Sequence, residues 1–300
     1  MLVLSLNAVI DLNTMSVPDR VLATTALTLS AGVAAADVAV TGNARMGVVY
    51  DGDDLGFNSR VRVIFTLSGE TDSGMSFGAS IRADNAGGGN AGNVDTQGMT
   101  AGSVFISGEF GRLRMGDVDG AAEFIVGDLA GVGMTGLRFL NENAYLSNAA
   151  ATQRAAARYD YSIHGFTFAL SADEPRSGNT AYSIAAGYST DMFGVGIGYE
   201  EVDGGSDHVI GYVSGSFEGI NVKATYGRAT GSLDQYGVSV STSFDAIGVS
   251  AFARRDFAEN THYGLGASYD LGGGASLVGG VVRDGGASQT IGDFGLSFRF

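Results

Sequence analysis

Two sets of side chains in this 300-residue chain have the type and spacing to do chemistry, and their charges are opposite. The basic set is built on arginine: of the sixteen Lys and Arg residues after position 37, fifteen are Arg. Arg60 and Arg62, and again Arg112 and Arg114, stand two apart, a spacing that puts both side chains on one face of an extended strand. Arg45, Arg82, Arg154, Arg158, Lys223, Arg254 and Arg299 sit on the same side of their segments, opposite the apolar residues. The acidic set, Asp117, Asp119, Glu123, Asp128 and Glu142, falls in a single stretch together with Phe124, Ile125, Leu129 and Val132. A guanidinium is a rigid fork that meets carboxylates in a fixed plane. Rows of opposite charge facing each other across water would create a transverse field that orients polar solutes. The DVDG run at Asp117–Gly120 has a second reading, because clustered carboxylates can hold Ca²⁺ through oxygen ligands, which makes Asp117 and Asp119 candidate cation ligands.

Other chemistries find little support. There is no Cys, which removes disulfides, thiolate metal sites and cysteine nucleophiles together. His164, His208 and His262 read as turn and loop residues without paired spacing, so neither a metal centre nor a catalytic histidine is expected, and the chain does not read as an enzyme. The glycines of GVGIGY at Gly194–Tyr199 and GLGAS at Gly264–Ser268 precede no helix, as a phosphate-binding turn requires. A formal net charge of −15 and a pI near 4.4 argue against nucleic acid as a partner.

The elements that must position these charges are strands. Gly is 48 of 300 residues and Pro only 2, a composition that disfavours helix. Period-two alternation recurs along the chain. Val38, Val40, Met46, Val48 and Tyr50 alternate with Ala39, Thr41, Asn43 and Arg45; Val61, Val63, Phe65 and Leu67 alternate with Arg60, Arg62, Thr66 and Ser68. The pattern returns up to Phe294–Phe300, and with weaker segments near Val104 and Ile210 it predicts 16 strands. Short turns, such as Glu70–Gly74, Glu218–Gly219 and Asp245–Ala246, alternate with longer polar loops at Asp51–Phe57, Asp84–Gly98, Asp173–Thr180 and Arg283–Thr290; the longest runs from Asp117 to about Gln153. That rhythm belongs to an up-and-down transmembrane barrel. Aromatics support it: Tyr161, Phe166, Tyr188, Phe193, Phe217, Phe244, Tyr269 and Phe300 fall at short-turn ends, and Tyr50, Tyr182, Tyr199, Tyr226, Tyr236 and Tyr263 at long-loop ends, as two interfacial girdles. About 16 strands leave an aqueous channel, whereas about 8 leave a filled interior. The apolar 117–153 stretch is poor solvent-facing material, so it is expected to fold into the channel and bring its acids towards the arginines of the first strands.

Residues 1–36 read as a leader. Val21–Val33 is uncharged, with Arg20 before it and Ala34, Ala35 and Ala36 after it, which predicts a signal peptide cleaved to leave Asp37 as the mature terminus. The polar-broken prefix Met1–Thr14 is unneeded for export and points to Met15 as the true start. Residues 37–300 then form one barrel domain.

Several runs carry a family likeness: NARMGVVYDGDD at Asn43–Asp54, SRVRVIFTLSGETDSGMSFGAS at Ser59–Ser80, FISGEFGRLRMGDVDGAAEFIVGDL at Phe105–Leu129, YGLGASYDLGGGASLVGG at Tyr263–Gly280, and the terminal LSFRF. They resemble the general-diffusion outer-membrane porins of Rhodobacter-type bacteria, while the middle, about Leu137–Ser250, is similar in pattern only. The resemblance implies an all-β, 16-stranded antiparallel barrel with its third external loop folded into the pore, assembled as a homotrimer in the Gram-negative outer membrane among lipid and lipopolysaccharide; no cofactor is expected, the Ca²⁺ reading of Asp117 and Asp119 resting on the carboxylate cluster alone. It implies that Arg45, Arg60, Arg62 and Arg82 match basic wall positions and that Glu123 and Asp128 match acidic loop positions, to which Asp117 and Asp119 are added from the charge cluster. It also implies that the ending Phe298–Phe300 is read by the barrel assembly machinery. Passive diffusion of small hydrophilic solutes with weak cation selectivity is the expected function. Two alternatives stand: a non-conducting exported β-protein of a structural or surface-layer kind, and a solute-specific channel, for which only Phe105 and Phe252 look placed on the inner face.

Overall fold

Short hairpins among the described residues are closed by residues able to take the turn geometry. The computed structural model describes residues 37–84, 102–147, 156–175, 180–231 and 234–300; the leader, the proposed start at Met15, Arg154 and most of the Asp84–Gly98 loop lie outside the described residues. At Glu218–Gly219 both φ angles are positive, 49° and 81°, the mirror-image turn whose twist matches that of paired strands. His164–Gly165 repeats it at 49° and 84°.

Sixteen strands follow in order: β1 (Asp37–Tyr50), β2 (Leu55–Glu70), β3 (Ser76–Asp84), β4 (Gly102–Gly108), β5 (Gly111–Gly116), β6 (Ala156–Ile163), β7 (Phe166–Ala172) and β8 (Ala181–Ser189). Then come β9 (Phe193–Val202), β10 (Asp207–Phe217), β11 (Ile220–Ala229), β12 (Asp234–Phe244), β13 (Ile247–Arg255), β14 (Thr261–Gly272), β15 (Ala275–Asp284) and β16 (Gln289–Arg299). Every sequential pair is antiparallel, and β1 pairs with β16 from Asn43↔Arg299 to Tyr50↔Gly292, so the sheet is a closed barrel. Closure satisfies the backbone of every strand and leaves no edge, which a lipid-exposed sheet requires. One helix, α1 (Ala121–Val126), and a short 3-10 turn at Leu137–Phe139 interrupt the long connection between β5 and β6.

The outer face is apolar. Val61, Phe65, Ile184, Ile197, Val213, Leu265 and Val281 are each about half exposed, and the alternate positions carry the polar residues. Aromatics rim this face at both ends: Tyr226 lies directly opposite Tyr236, and the Phe166, Tyr188 and Phe193 rings form a chain with centroids 4.6 and 5.9 Å apart. The true core is inside, where residues of the long connection pack on the strands: Leu129, Val132 and Leu137 are buried with Phe252, Val282 and Ile291. The first external connection is shorter than the sequence suggested, because β2 already begins at Leu55 and Phe57 points outward, fully exposed. Pairing continues until apolar alternation ends, and the polar Asp51–Asp54 is all that remains to turn.

Candidate functional site: the inner wall and the long connection

The connection after β5 follows the inner wall because its backbone is bonded to strand side chains on the face opposite the apolar one. A six-residue helix is too short to be stable alone. At the N-terminus of α1 the Ala121 and Ala122 amides donate to Ser171 Oγ on β7 and Ser183 Oγ on β8, at 2.8 and 2.9 Å, and at its far end Lys223 on β11 donates to the Val126 and Asp128 carbonyls. The wall thus caps both ends of the helix. Close approach needs small residues: Ala121 packs on Ala169 and Ala185, and a Cβ at Gly198 would lie 2.5 Å from that of Ala122.

Further along, the Ala130 amide donates to Ser239 Oγ at 3.0 Å, and Asp293 on β16 accepts from the Met134 amide at 2.9 Å and from the Thr135 amide and hydroxyl, each at 2.6 Å. Arg45 crosses from β1 to the Met134 carbonyl at 3.2 Å. Leu137, Arg138 and Phe139 hold positive φ, 44°, 66° and 55°, a costly run for non-glycine residues. It persists where Leu137 is buried and Arg138 pairs with Asp284 at 2.9 Å. The returning limb is held by a buried polar cluster. Glu200 on β9 accepts from the Leu146 and Ser147 amides at 3.0 and 3.1 Å, and its carboxylate also meets His208 Nδ1 at 2.9 Å. Gln235 on β12 accepts from the Ala144 amide and donates to the Ala144 carbonyl, at 2.9 and 2.8 Å. Its amide nitrogen also lies 3.1 Å from His208 Nε2. A Gln amide fixed by a backbone amide and carbonyl presents N–H to the imidazole, so Nε2 is the acceptor and Nδ1 carries the proton.

The basic candidates are gathered by strand register. Arg45 lies directly opposite Arg60, Arg62 opposite Asn43, and Arg82 opposite Ile64, so all four share one inner patch on β1, β2 and β3. Arg45 donates to Asn58 at 3.0 Å and Arg60 to Asn43 at 2.8 Å. The acidic candidates sit on the connection: Asp117 and Asp119 are exposed, while Glu123 and Asp128 are half-buried. Arg158 on β6 donates to the Asp119 carbonyl, not its carboxylate, and stacks over Phe124 with 3.7 Å to the ring centroid. Burial, reinforced by the Asp119, Asp128, Glu200 and Glu142 charges, pushes the Glu123 carboxyl up to about 8. Burial also raises Asp128, against the Asn143 amide bond and the Lys223 and Arg254 charges that favour its ionised form. Glu142 is raised by burial and by Asp128.

Among the described residues no cluster of three or more His, Cys, Asp or Glu side chains is arranged to hold a metal. Asp117 and Asp119 alone supply too few oxygens for Ca²⁺, which takes six to eight ligands. Two histidines are not where the sequence placed them: His208 is on β10 and His262 on β14, both buried. Each faces inward in an alternating strand: His208 meets Glu200 directly across the sheet, and His262 meets Asp256 of the preceding turn at 3.1 Å. Glu200, Gln235, Asp293 and the serines Ser171 and Ser183 went unnoticed in the sequence; their one legible signal is a polar side chain at an inward position of an alternating strand.

A closed 16-strand barrel with an apolar, aromatic-rimmed outer face and a charged inner wall defines a membrane-spanning channel protein. A family model described as Gram-negative porin matches residues 23–287. The chain is 37% identical to a porin of Rhodobacter capsulatus over 310 aligned positions, covering 88% of this chain and all of that one, and 26% identical to a porin of Fuscovulum blasticum with the same coverage. A porin structure refined at 1.8 Å superposes with a TM-score of 0.76 at 35% identity, over 88% of this chain and all of that one. Engineered variants of the Rh. blastica porin share the fold at 22% identity, with TM-scores of 0.68 to 0.69 and the same coverage. The chain belongs to the Gram-negative porin family. It is a general-diffusion porin of the outer membrane.

Proposed function

We propose that this porin is a weakly cation-selective channel for small hydrophilic solutes, whose narrow point lies between the basic patch Arg45, Arg60, Arg62 and Arg82 and the acidic set Asp117, Asp119, Glu123 and Asp128 on the long connection. The observation that carries the reading is the direct opposition of Arg45 and Arg60 on the inner wall, with Arg45 reaching across to the connection that bears the acids. Opposed charges across water orient polar solutes, and an apolar solute must displace the ordered water. The excess of acidic residues favours cations, blunted by screening over roughly 8 to 10 Å in physiological salt.

The working form is a homotrimer in lipid and lipopolysaccharide, with no enzymatic step and Asp37 as mature terminus. The Phe298–Phe300 ending serves as the assembly signal; Phe300 supports this by exchanging backbone bonds with Gly42 at the barrel seam. Any divalent cation at Asp117 and Asp119 would need further oxygen ligands from backbone or water. Reversal potentials in a KCl gradient test the proposal. Neutralising Arg60 and Arg62 together shifts them towards cations, and neutralising Glu123 and Asp128 together shifts them towards anions. Unchanged potentials in both double variants would place the two sets outside the conducting path.

A further inference from the structure

A recess of about 330 Å³ lies between the inner faces of β9 to β12, the β8–β9 turn and Ala130 of the long connection. Its floor is a small grid set by register: Ser214 lies opposite Lys223, which lies opposite Ser239; one rung nearer the turn, Ser216 lies opposite Asn221, which lies opposite Ser241. Ser239 is committed to the Ala130 amide. The side chains of Ser214, Ser216, Asn221 and Ser241 make no hydrogen bond among the described residues and line the recess with donors and acceptors available to a guest. Tyr212 forms a side wall, its ring laid over Gly194 and Gly196, with Lys223 Nζ 5.1 Å from its centroid.

Lys223 is the one lysine of the chain. Two of its three N–H donors go to the Val126 and Asp128 carbonyls, which leaves one for a guest. The lining's one carboxylate, Asp191, belongs to the turn, so an anionic group in the recess is drawn to the lysine end and repelled from the turn end. Hydroxyls, a carboxamide, an aromatic flank and a single cation at one end match a small molecule with several hydroxyl groups and one carboxylate.

We propose that this recess is a low-affinity transit site for sugar acids, with the carboxylate at Lys223, hydroxyls on Ser214, Ser216, Asn221 and Ser241, and the C–H face against Tyr212. The proposal deepens the channel reading by naming a solute that the lumen retains. The test is saturation-transfer NMR on the full chain in detergent micelles, with D-glucuronate, D-glucose and acetate as probes. Glucuronate is expected to give saturable transfer, glucose a weaker response and acetate none. In the double variant Asn221→Ala and Ser241→Ala the half-saturation concentration for glucuronate rises about fivefold or more, the loss of one or two neutral hydrogen bonds. Neither residue holds the long connection, so KCl conductance of the same preparation in planar bilayers stays unchanged. No saturable glucuronate signal, equal response to acetate, or an unaltered response in the double variant overturns the proposal. Because binding is read in detergent, a failed site is distinguished from a failed channel, which the bilayer measurement reports separately.

Discussion

The two halves of the barrel wall use polar side chains for different ends. On β1 to β3 the inner face carries four arginines gathered by strand register, Arg60 also donating to Asn43. From β7 to β16 many inner side chains, one of them a cation, are engaged by the long connection: Ser171, Ser183, Glu200, Lys223, Gln235, Ser239 and Asp293 all bond its backbone. The first half adds one such bond, from Arg45 to the Met134 carbonyl; the second supplies most of the partners of a segment whose amides and carbonyls would otherwise have none. Inward polarity in a porin wall is therefore not by itself a sign of a pore-lining role.

The largest expected effect that separates the halves is at Glu200. Glu200→Ala orphans two backbone N–H groups and the imidazole N–H, at about 1 to 3 kcal/mol each, so a loss of about 3 kcal/mol or more is expected. The urea midpoint of vesicle-embedded protein, followed by gel mobility, measures it; Arg60→Ala should move that midpoint far less, and equal losses would erase the difference between the two halves. Outer-face positions provide a second scale. Ile197→Arg at the middle of β9 should cost about 2 to 4 kcal/mol in the same assay, whereas Ser80→Arg, on the inner face of β3, should cost much less. Smaller again is the helix cap: Ser183→Ala leaves the Ala122 amide without its acceptor and should lower stability by about 1 kcal/mol, with a small rise in conductance noise as α1 loosens.

The subtlest effect is on pH. Burial and neighbouring carboxylates hold Glu123 at about 8, above its ordinary value of 4.5, so the folded protein binds more protons than the unfolded chain between these values. Stability from this group therefore falls as pH rises from 4.5 to 8, and its charge enters the channel as the pH passes through about 8. Cation selectivity should increase between pH 7 and pH 9, and Glu123→Gln should abolish that increase. A pH-independent reversal potential in the unaltered protein would mean that Glu123 is already ionised at pH 7.

Strand number, the apolar outer face, the girdles and the inward placement of Arg45, Arg60, Arg62 and Arg82 were legible in the sequence, because a strand's two faces are a local property with a period of two. The path of the long connection was legible only in part: Leu129 and Val132 announced that it needs apolar cover, which Phe252, Val282 and Ile291 supply from 120 or more positions away. Its anchors at Glu200, Gln235 and Asp293 and the inward burial of His208 were decided by the closed barrel, since which inner side chain meets which backbone amide depends on the register of sixteen strands and on curvature. Alternation states which way a side chain points; only closure states what stands opposite it.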